Sequence, residues 1–459
     1  MGAPYPEFNL DRGHRMIAFN HWVADWAQDP QSSFTGYVHA EAHLALLDTV
    51  ACMIAGRSEI QSERCVKAML GAGETGTVVP VGGGAGLVLG AAALVNGVRA
   101  HALDFDDYEA AGSTHPSASI LGALLAVAQR QGLSVSDITT AWLVGYEVIV
   151  RLGQALGYGH YLRGWHATST LGPIGTSAAV AVALGLDKDG IANAMSLATS
   201  ASAGMKLQFA TDTKALHAGL AARAGLQAAF LAESGLTAVA DIWDGAYGFL
   251  DLYGAPSSSP LRNVIATAQL GNAVLDYPIL RKPWPSCAYT HRAIEAALAL
   301  NIHLKPNADQ IAQVSVRMPE PFARVAGIKS ASTAAQARFS TTYCVATALL
   351  KGSITLADFA AEALTRSDVQ TLASRIVLDQ YPLGDELEDL SAEAPDTVEI
   401  TLHDGRSATR TIGDVRGGPM RPMNRAEIES KFLSCGGSAN VLQLLKEDRV
   451  IVTKYFFDS

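Results

Sequence analysis

Two runs of small apolar residues, 87–100 and 116–128, flank the stretch His101-Ala-Leu-Asp-Phe-Asp-Asp-Tyr and the following Thr114-His115-Pro116-Ser117. The first run carries one charge, Arg99, and the second carries none. Runs of this composition fold as buried helices. The joining loop therefore holds three carboxylates (Asp104, Asp106, Asp107) and two imidazoles (His101, His115) between two core elements. Charge is costly to bury unless it is paired. The chain must build either a structural network or a reaction site at this junction.

Only 17% of the 459 residues are charged and 7% are aromatic, while 49% are hydrophobic. Small side chains let helices approach closely, which predicts a helix-dense protein with a large core. Periodicity predicts helices over 14–27, 37–55, 85–101, 117–130, 137–156 with Ser136 as N-cap, 171–185, 188–200 opened by Asp187, and 213–233. The segment DGAYGF at 244–249 breaks the pattern. Near residue 275 the texture changes: Pro278, Pro283 and Pro285 cluster where no helix interior tolerates them. A helix over 290–302, a strand over 313–318, a helix over 337–351, a weak strand over 376–379 and a hairpin over 397–412 on Asp404-Gly405 follow. Residues 424–446 read as helical again. The expected fold class is mainly α: a large all-helical domain from 1–274 plus 416–459, and a smaller α+β domain over 275–415.

The net charge of −10 argues against a nucleic-acid partner, though not against a locally positive pocket. Cys52, Cys65, Cys287, Cys344 and Cys435 are widely spaced with no CxxC pair, which disfavours structural zinc and suits a reducing compartment. Residues 1–15 carry no apolar signal-like core, and the apolar runs 87–95 and 178–186 fall short of the ~20 residues that span a bilayer. The expectation is a cytoplasmic protein without a membrane partner.

For Asp106 and Asp107 the structural reading is capping of helix-end N–H groups. Asp104 follows the apolar helix on its core side and is favoured for the site. Paired aspartates can also hold magnesium, but no second acidic cluster of that kind supports it, so no metal is expected. His115 precedes a proline and is held extended. A lone histidine is usually a hydrogen-bonded structural residue, but similar groups recur. His166 stands before an uncharged helix whose first turn brings Thr168 and Ser169, a natural anion cradle. Lys214 and His217, three apart, share a helical face. Lys282 lies in the rigid turn Lys-Pro-Trp-Pro-Ser-Cys. Together these cations and imidazoles suit a small substrate with several carboxylates. The glycine run Gly82-Gly83-Gly84-Ala85-Gly86 lacks GK[ST] and reads as a turn. GxSxG and nicotinamide, flavin and pyridoxal signatures are missing, and Cys287 has no activating base near it in sequence.

The motifs HALDFDD, THPSAS, GYGHYLRGWHATSTLG, TKALHAG, KPWPSCAYTHRA and ARFSTTY, in this order, resemble the MmgE/PrpD family over roughly residues 15–440. The family includes 2-methylcitrate dehydratase, cis-aconitate decarboxylase and iminodisuccinate epimerase. The resemblance implies an all-helical main domain, a smaller α+β lid domain, a homodimer, and chemistry without metal or cofactor. It places Asp104, His115, His166, Lys214 and Tyr343 in the catalytic set. Tyr108, Thr168, Ser169, His217 and Lys282 are expected to bind substrate. Tyr108 stands where the decarboxylases carry a threonine, and the loop to His115 is one residue longer; both departures count against decarboxylation of cis-aconitate.

The implied reactions share one step, proton handling at a carbon next to a carboxylate, with developing charge met by preorganised cations. Lys214 and Lys282 would hold carboxylates, and His166 or His115 would move the proton. Asp104 would orient His115 and fix its tautomer. The expected function is a cofactor-independent lyase of dehydratase type on a di- or tricarboxylate. The alternatives are an epimerase of an iminodisuccinate-like acid, a decarboxylase of a cis-aconitate-like acid, and a non-catalytic binding protein.

Overall fold

Close approach of small residues sets the architecture. In the computed structural model, which describes residues 17–255, 258–384 and 389–446, the helix Leu89–His101 lies against Pro116–Gln131 and Asp212–Glu233. The backbones touch where glycines fall. A Cβ on Gly97 would sit 2.8 Å from the carbonyl oxygen of Ala218, and one on Gly219 would sit 2.4 Å from that of Leu94. Larger residues there would force the helices apart. Ala167–Ala183 and Val135–Leu156 complete this layer, and Gly36–Gly56 and Lys188–Ala198 pack around it in one apolar core.

Several expected boundaries move for identifiable reasons. Val135–Leu156 is capped by Ser134, not Ser136, because Asp137 closes a reciprocal capping box with Ser134. The helix expected at 171–185 begins at Ala167, with His166 as its N-cap residue. Its first-turn hydroxyls are occupied, Thr168 by the His115 N–H and Thr170 by His160, so they do not compete with the helix backbone. The helix expected from 85 starts at Leu89, because Leu87 bridges to the short strand β1, Thr75–Val78. The helix Ile60–Gly71 was not foreseen; its face is mostly polar and only Gln61 and Ser62 are buried. The first helix is described from Phe19; the expected start at 14 lies outside the described residues. Residues 424–446 are two helices, Arg425–Ser434 and Ala439–Lys446, parted where Gly436 takes φ +90°.

Gly36–Gly56 is long and apolar enough to cross a membrane by length and composition. Here it packs against Leu89–His101, Val135–Leu156 and Arg425–Ser434, as a core helix does.

A second apolar core forms around a four-stranded mixed sheet. Its strands are β2 (Ile311–Pro319), β3 (Ile376–Tyr381), β4 (Asp396–Leu402) and β5 (Ser407–Ile412), in the order β3-β2-β4-β5. β2 pairs parallel with β3 and antiparallel with β4, and β4–β5 is the hairpin on Asp404-Gly405. Gly405 takes φ +86°, the left-handed geometry that such a turn requires. The helices His291–Leu304 and Thr341–Lys351 pack together, and His291–Leu304 also packs on β4 and β5. The molecule is thus mainly α with a small mixed sheet. Arg425–Ser434 and Ala439–Lys446 join the first core by packing on Gly36–Gly56.

Candidate active site

The loop after Leu89–His101 reverses at Asp104, which takes φ +50° and aims its carboxylate at two lysines. Tyr108 then pairs backbone-to-backbone with Leu280, at 2.9 and 2.8 Å, which brings the Lys282 turn alongside. Lys282 donates to the Asp104 carbonyl at 2.9 Å and to its Oδ1. Lys214 Nζ, from the first turn of Asp212–Glu233, lies 3.1 Å from Asp104 Oδ2. Burial alone would raise the Asp104 pKa, but the two ammonium groups hold it well below the usual carboxylate range. The Lys214 pKa is lowered, chiefly by burial, with Asp104 opposing and Lys282 adding to the drop.

The partners fix the imidazole tautomers. Lys214 Nζ sits 2.7 Å from His101 Nε2, so that nitrogen accepts and Nδ1 carries the proton, donating to Asp106 Oδ2 at 2.8 Å. His115 Nδ1 donates to the Asp107 carbonyl at 2.7 Å. Its Nε2 is left as the lone-pair nitrogen, 4.0 Å from Asp104 Oδ1 and beyond hydrogen-bonding reach. Asp104 therefore does not set the His115 tautomer as expected; the Asp107 carbonyl does. The His115 backbone is pinned in turn by its N–H bond to Thr168 Oγ1, 2.9 Å. His166 and His217 share a proton between their Nδ1 atoms at 2.9 Å, and His166 Nε2 is buried with no hydrogen-bond partner among the described residues. The His166 ring stacks 5.8 Å from His101 and meets Phe209 edge-on.

Burial dominates the imidazole titrations. The His115 pKa falls to about 3 and the His217 pKa to about 4, and those of His101 and His166 are also lowered. All four rings are neutral acceptors or donors near pH 7 in the closed site. Asp106 is held well below its usual range by His101 and His115 against the opposing effect of burial. Asp107 behaves oppositely: burial raises it to about 7, despite the bond from Ser117.

His101, Asp106 and His115 bring ligand atoms within 4.8 Å of one another, the spacing of a metal site. The arrangement does not fit one. Both Nδ1 atoms facing the group carry protons: that of His101, whose far nitrogen is occupied by Lys214, is given to Asp106 itself, and that of His115 to the Asp107 carbonyl.

Asp104, His115, His166 and Lys214 line one cavity, closed over by Tyr161 and Phe339. Its free volume is about 20 Å³, room for about one water. The other expected residues fall in distinct places. Tyr108 lines the cavity with its ring edge-on to His115. Lys282 is fully buried and committed to Asp104. Thr168 positions His115, and His217 positions His166. Ser169 packs against Gly204 and does not line the cavity, and its amide and that of Thr170 bond back to the His166 carbonyl at 2.8 and 3.2 Å. Tyr343 is not brought to the cavity. It lies on the second core, where its hydroxyl donates to the Asp358 carbonyl at 2.5 Å and its ring faces Phe359. The helix Thr341–Lys351 begins just before Tyr343 and turns it inward; Phe339, ahead of that helix, faces the cavity instead.

Tyr161, Tyr289, Ser113, Phe209 and Phe339 also line the cavity and were not foreseen. Their sequence signal was weak, since isolated aromatics are usually core and Ser113 is a lone loop hydroxyl. His101 was legible from the same loop, but its role as the relay between Lys214 and Asp106 needed coordinates. Cys287 lines the cavity too, and burial lifts its thiol to about 12, so it is no nucleophile at neutral pH.

Residues 19–260 match the family model of the MmgE/PrpD N-terminal domain, and residues 284–453 that of the MmgE/PrpD C-terminal domain. A cis-aconitate decarboxylase of Mus musculus is 31% identical over 372 residues, covering 78% of this chain and 73% of the relative. One of Aspergillus terreus is 27% identical over 458 residues, covering 93% and 90%. A 2-methylcitrate dehydratase of Salmonella typhimurium is 27% identical over 371 residues, covering 74% and 73%.

Proposed function

Because this chain belongs to the MmgE/PrpD family, we propose that it is a lyase that moves a proton at a carbon next to a carboxylate of a small di- or tricarboxylate. One observation carries the reading. His115 Nε2 and His166 Nε2, neither with a hydrogen-bond partner among the described residues, belong to rings that line the same cavity as the Lys214 ammonium. A base, a second proton-transfer group and a cation are thus gathered away from bulk water. In such a site, fixed charges act strongly on developing negative charge.

The closed cluster is balanced, with Lys214 and Lys282 against Asp104 and Asp106. A polycarboxylate entering beside the imidazoles adds negative charge and raises their proton affinity toward neutrality. Lys214 holds one substrate carboxylate and stabilises charge on the adjacent carbon. His115 takes or returns the proton through Nε2, held in orientation by the Asp107 carbonyl. His166 acts from the other wall, with His217 absorbing the change of tautomer. In dehydration, the C–H proton goes to an imidazole and the β-hydroxyl leaves with a proton from the second group. In decarboxylation, the C–C electron pair stays on the carbon as CO₂ departs, and an imidazolium supplies the proton.

Dehydration is the primary reading. Decarboxylation is retained because the relatives named above include cis-aconitate decarboxylases spanning nearly the whole chain. Tyr108, the departure from the decarboxylase pattern that the family resemblance implied, weighs against it. The named relatives are lyases, so the epimerase expectation is not carried forward. Within this reading the sheet-bearing body acts as the lid, and the enzyme works as a cytoplasmic homodimer; mass photometry checks the dimer.

Purified protein incubated with 2-methylcitrate, citrate and cis-aconitate decides between the outcomes. Appearance of an unsaturated acid without CO₂ assigns dehydration, and CO₂ release assigns decarboxylation. Tight binding of these acids without turnover would overturn the lyase reading.

A further inference from the structure

The catalytic cavity, at about 20 Å³, is far smaller than any tricarboxylate needs. Binding sites for small molecules commonly enclose roughly 300–1,000 Å³. A cavity of about 600 Å³ lies next to it, walled by Ala110, Leu280, Ala392, Val415 and Pro419, and the two spaces share Tyr108. Between them stands Asp389, which lines the larger cavity and is itself buried. Its Oδ2 accepts three hydroxyls: Tyr108, Ser113 at 2.9 Å and Tyr289 at 3.1 Å. All three donors line the catalytic cavity. They come from separate parts of the chain, the acidic loop and the turn after Lys282, while Asp389 comes from the segment before β4. Arg292 ties that segment down through the carbonyls of Leu390, Ser391 and Ala394. Among the described residues, Asp389 Oδ1 has no hydrogen-bond partner. A carboxyl with one oxygen drawing three hydroxyls together and the other unpaired is poorly satisfied as a static element. It is well placed as a clasp.

We propose that the 600 Å³ cavity is the vestibule through which the polycarboxylate reaches the Lys214–His115–His166 cluster. In this proposal Asp389 is a positioning residue that closes the wall by gathering the Tyr108, Ser113 and Tyr289 hydroxyls. This rests on the lyase reading above. Released from Asp389, Tyr108 swings toward the vestibule and joins the two spaces. Regathered, the hydroxyls exclude water from the bound acid.

The test separates the route from the reading by using an unreactive acid, propane-1,2,3-tricarboxylate, and intrinsic fluorescence in stopped flow on the full chain. Ala392 is exposed in the vestibule and touches nothing in the cluster, so Ala392→Trp narrows the route without altering the destination. The expected result is association and dissociation rates both lowered at least ~10-fold with the dissociation constant unchanged. Asp389→Ala is expected to raise the dissociation constant for the tricarboxylate at least ~10-fold through faster dissociation, with Asp389→Asn, which keeps an acceptor oxygen, restoring most of the loss. Unchanged rates in Ala392→Trp, or wild-type kinetics in Asp389→Ala, would overturn the proposal while leaving the lyase reading intact. Failure of the wild-type chain to bind the tricarboxylate removes both.

Discussion

Two buried lysine–aspartate pairs stand back to back in this molecule, and they are built to opposite ends. Lys431 meets Asp48 at 2.7 Å and also donates to the carbonyls of Phe105, 2.7 Å, and Lys282, 3.0 Å. The ammonium thus faces one carboxylate and two carbonyls, and the Phe105 ring covers it at 3.8 Å. Burial is the largest single influence and lowers its pKa, but Asp48, Cys52 and Cys435 together turn the net shift upward. Lys214 meets Asp104 and His101, its remaining face looks into a cavity, and its pKa is lowered. One ammonium is closed off by protein acceptors and fixes two loop segments in place. The other is left short of acceptors and can take one from a ligand. The lesson is that burial of a charge says little about its use; the count of satisfied donors says more.

The comparison breaks most readily at Lys214. Lys214→Met should lower kcat/KM by at least ~10³-fold, since it removes the cation nearest the imidazoles, in line with the loss on deleting one preorganised electrostatic group. Folding should be largely kept, because Asp104 retains Lys282 and its own carbonyl contact. Steady-state kinetics alongside circular dichroism checks both halves. Activity within tenfold of wild type would place Lys214 with Lys431 as a structural residue.

Lys431→Met is the mirror experiment and should fail in the other direction. Removing one member of a fully buried pair leaves Asp48 uncompensated, at a cost of about 3–5 kcal/mol. Denaturant midpoints should fall accordingly, while the folded fraction keeps kcat within about tenfold. A stable Lys431→Met protein with kcat reduced as far as in Lys214→Met would erase the distinction.

The same contrast explains what was legible in the sequence. The helices around Leu89–His101 were readable because long uncharged runs have one way to avoid water. The hairpin at Asp404-Gly405 was readable from its turn chemistry. Ser134 was passed over for Ser136 because two serines compete and only the spacing to Asp137 separates them. Within the site, the concentration of Asp104, His115, His166 and Lys214 could be read because polar residues interrupt apolar runs at each. Tyr343 was misplaced because its neighbour by sequence, Phe339, reaches the cavity while the helix starting between them turns Tyr343 inward. Lys282 was read as a ligand for substrate, whereas pairwise geometry commits it to Asp104. Asp389 was invisible, since a lone carboxyl in a loop shows nothing of the three hydroxyls that converge on it.

Asp107 offers the finest test of the contrast, because it is a carboxyl of the same loop that no lysine compensates. Burial raises its pKa to about 7, reinforced by Asp48 and Asp106 nearby and opposed by Ser117. The folded value lies above the unfolded value of about 3.9, so the folded state binds the extra proton between those limits. Stability from this group is therefore fully present below pH ~4, is lost progressively as pH rises to about 7, and changes no further above it. The slope has a ceiling of about 1.4 kcal/mol per pH unit. Asp107→Asn mimics the protonated acid and cannot ionise. Its melting temperature, relative to wild type, should rise steadily from pH 4 to 7 and level off above. Thermal melts of both proteins in matched buffers read the difference directly, cancelling every other titrating group. A difference that stays flat across that window would mean that Asp107 is ionised throughout, compensated as Asp104 is, and that the loop contains no uncompensated carboxylate.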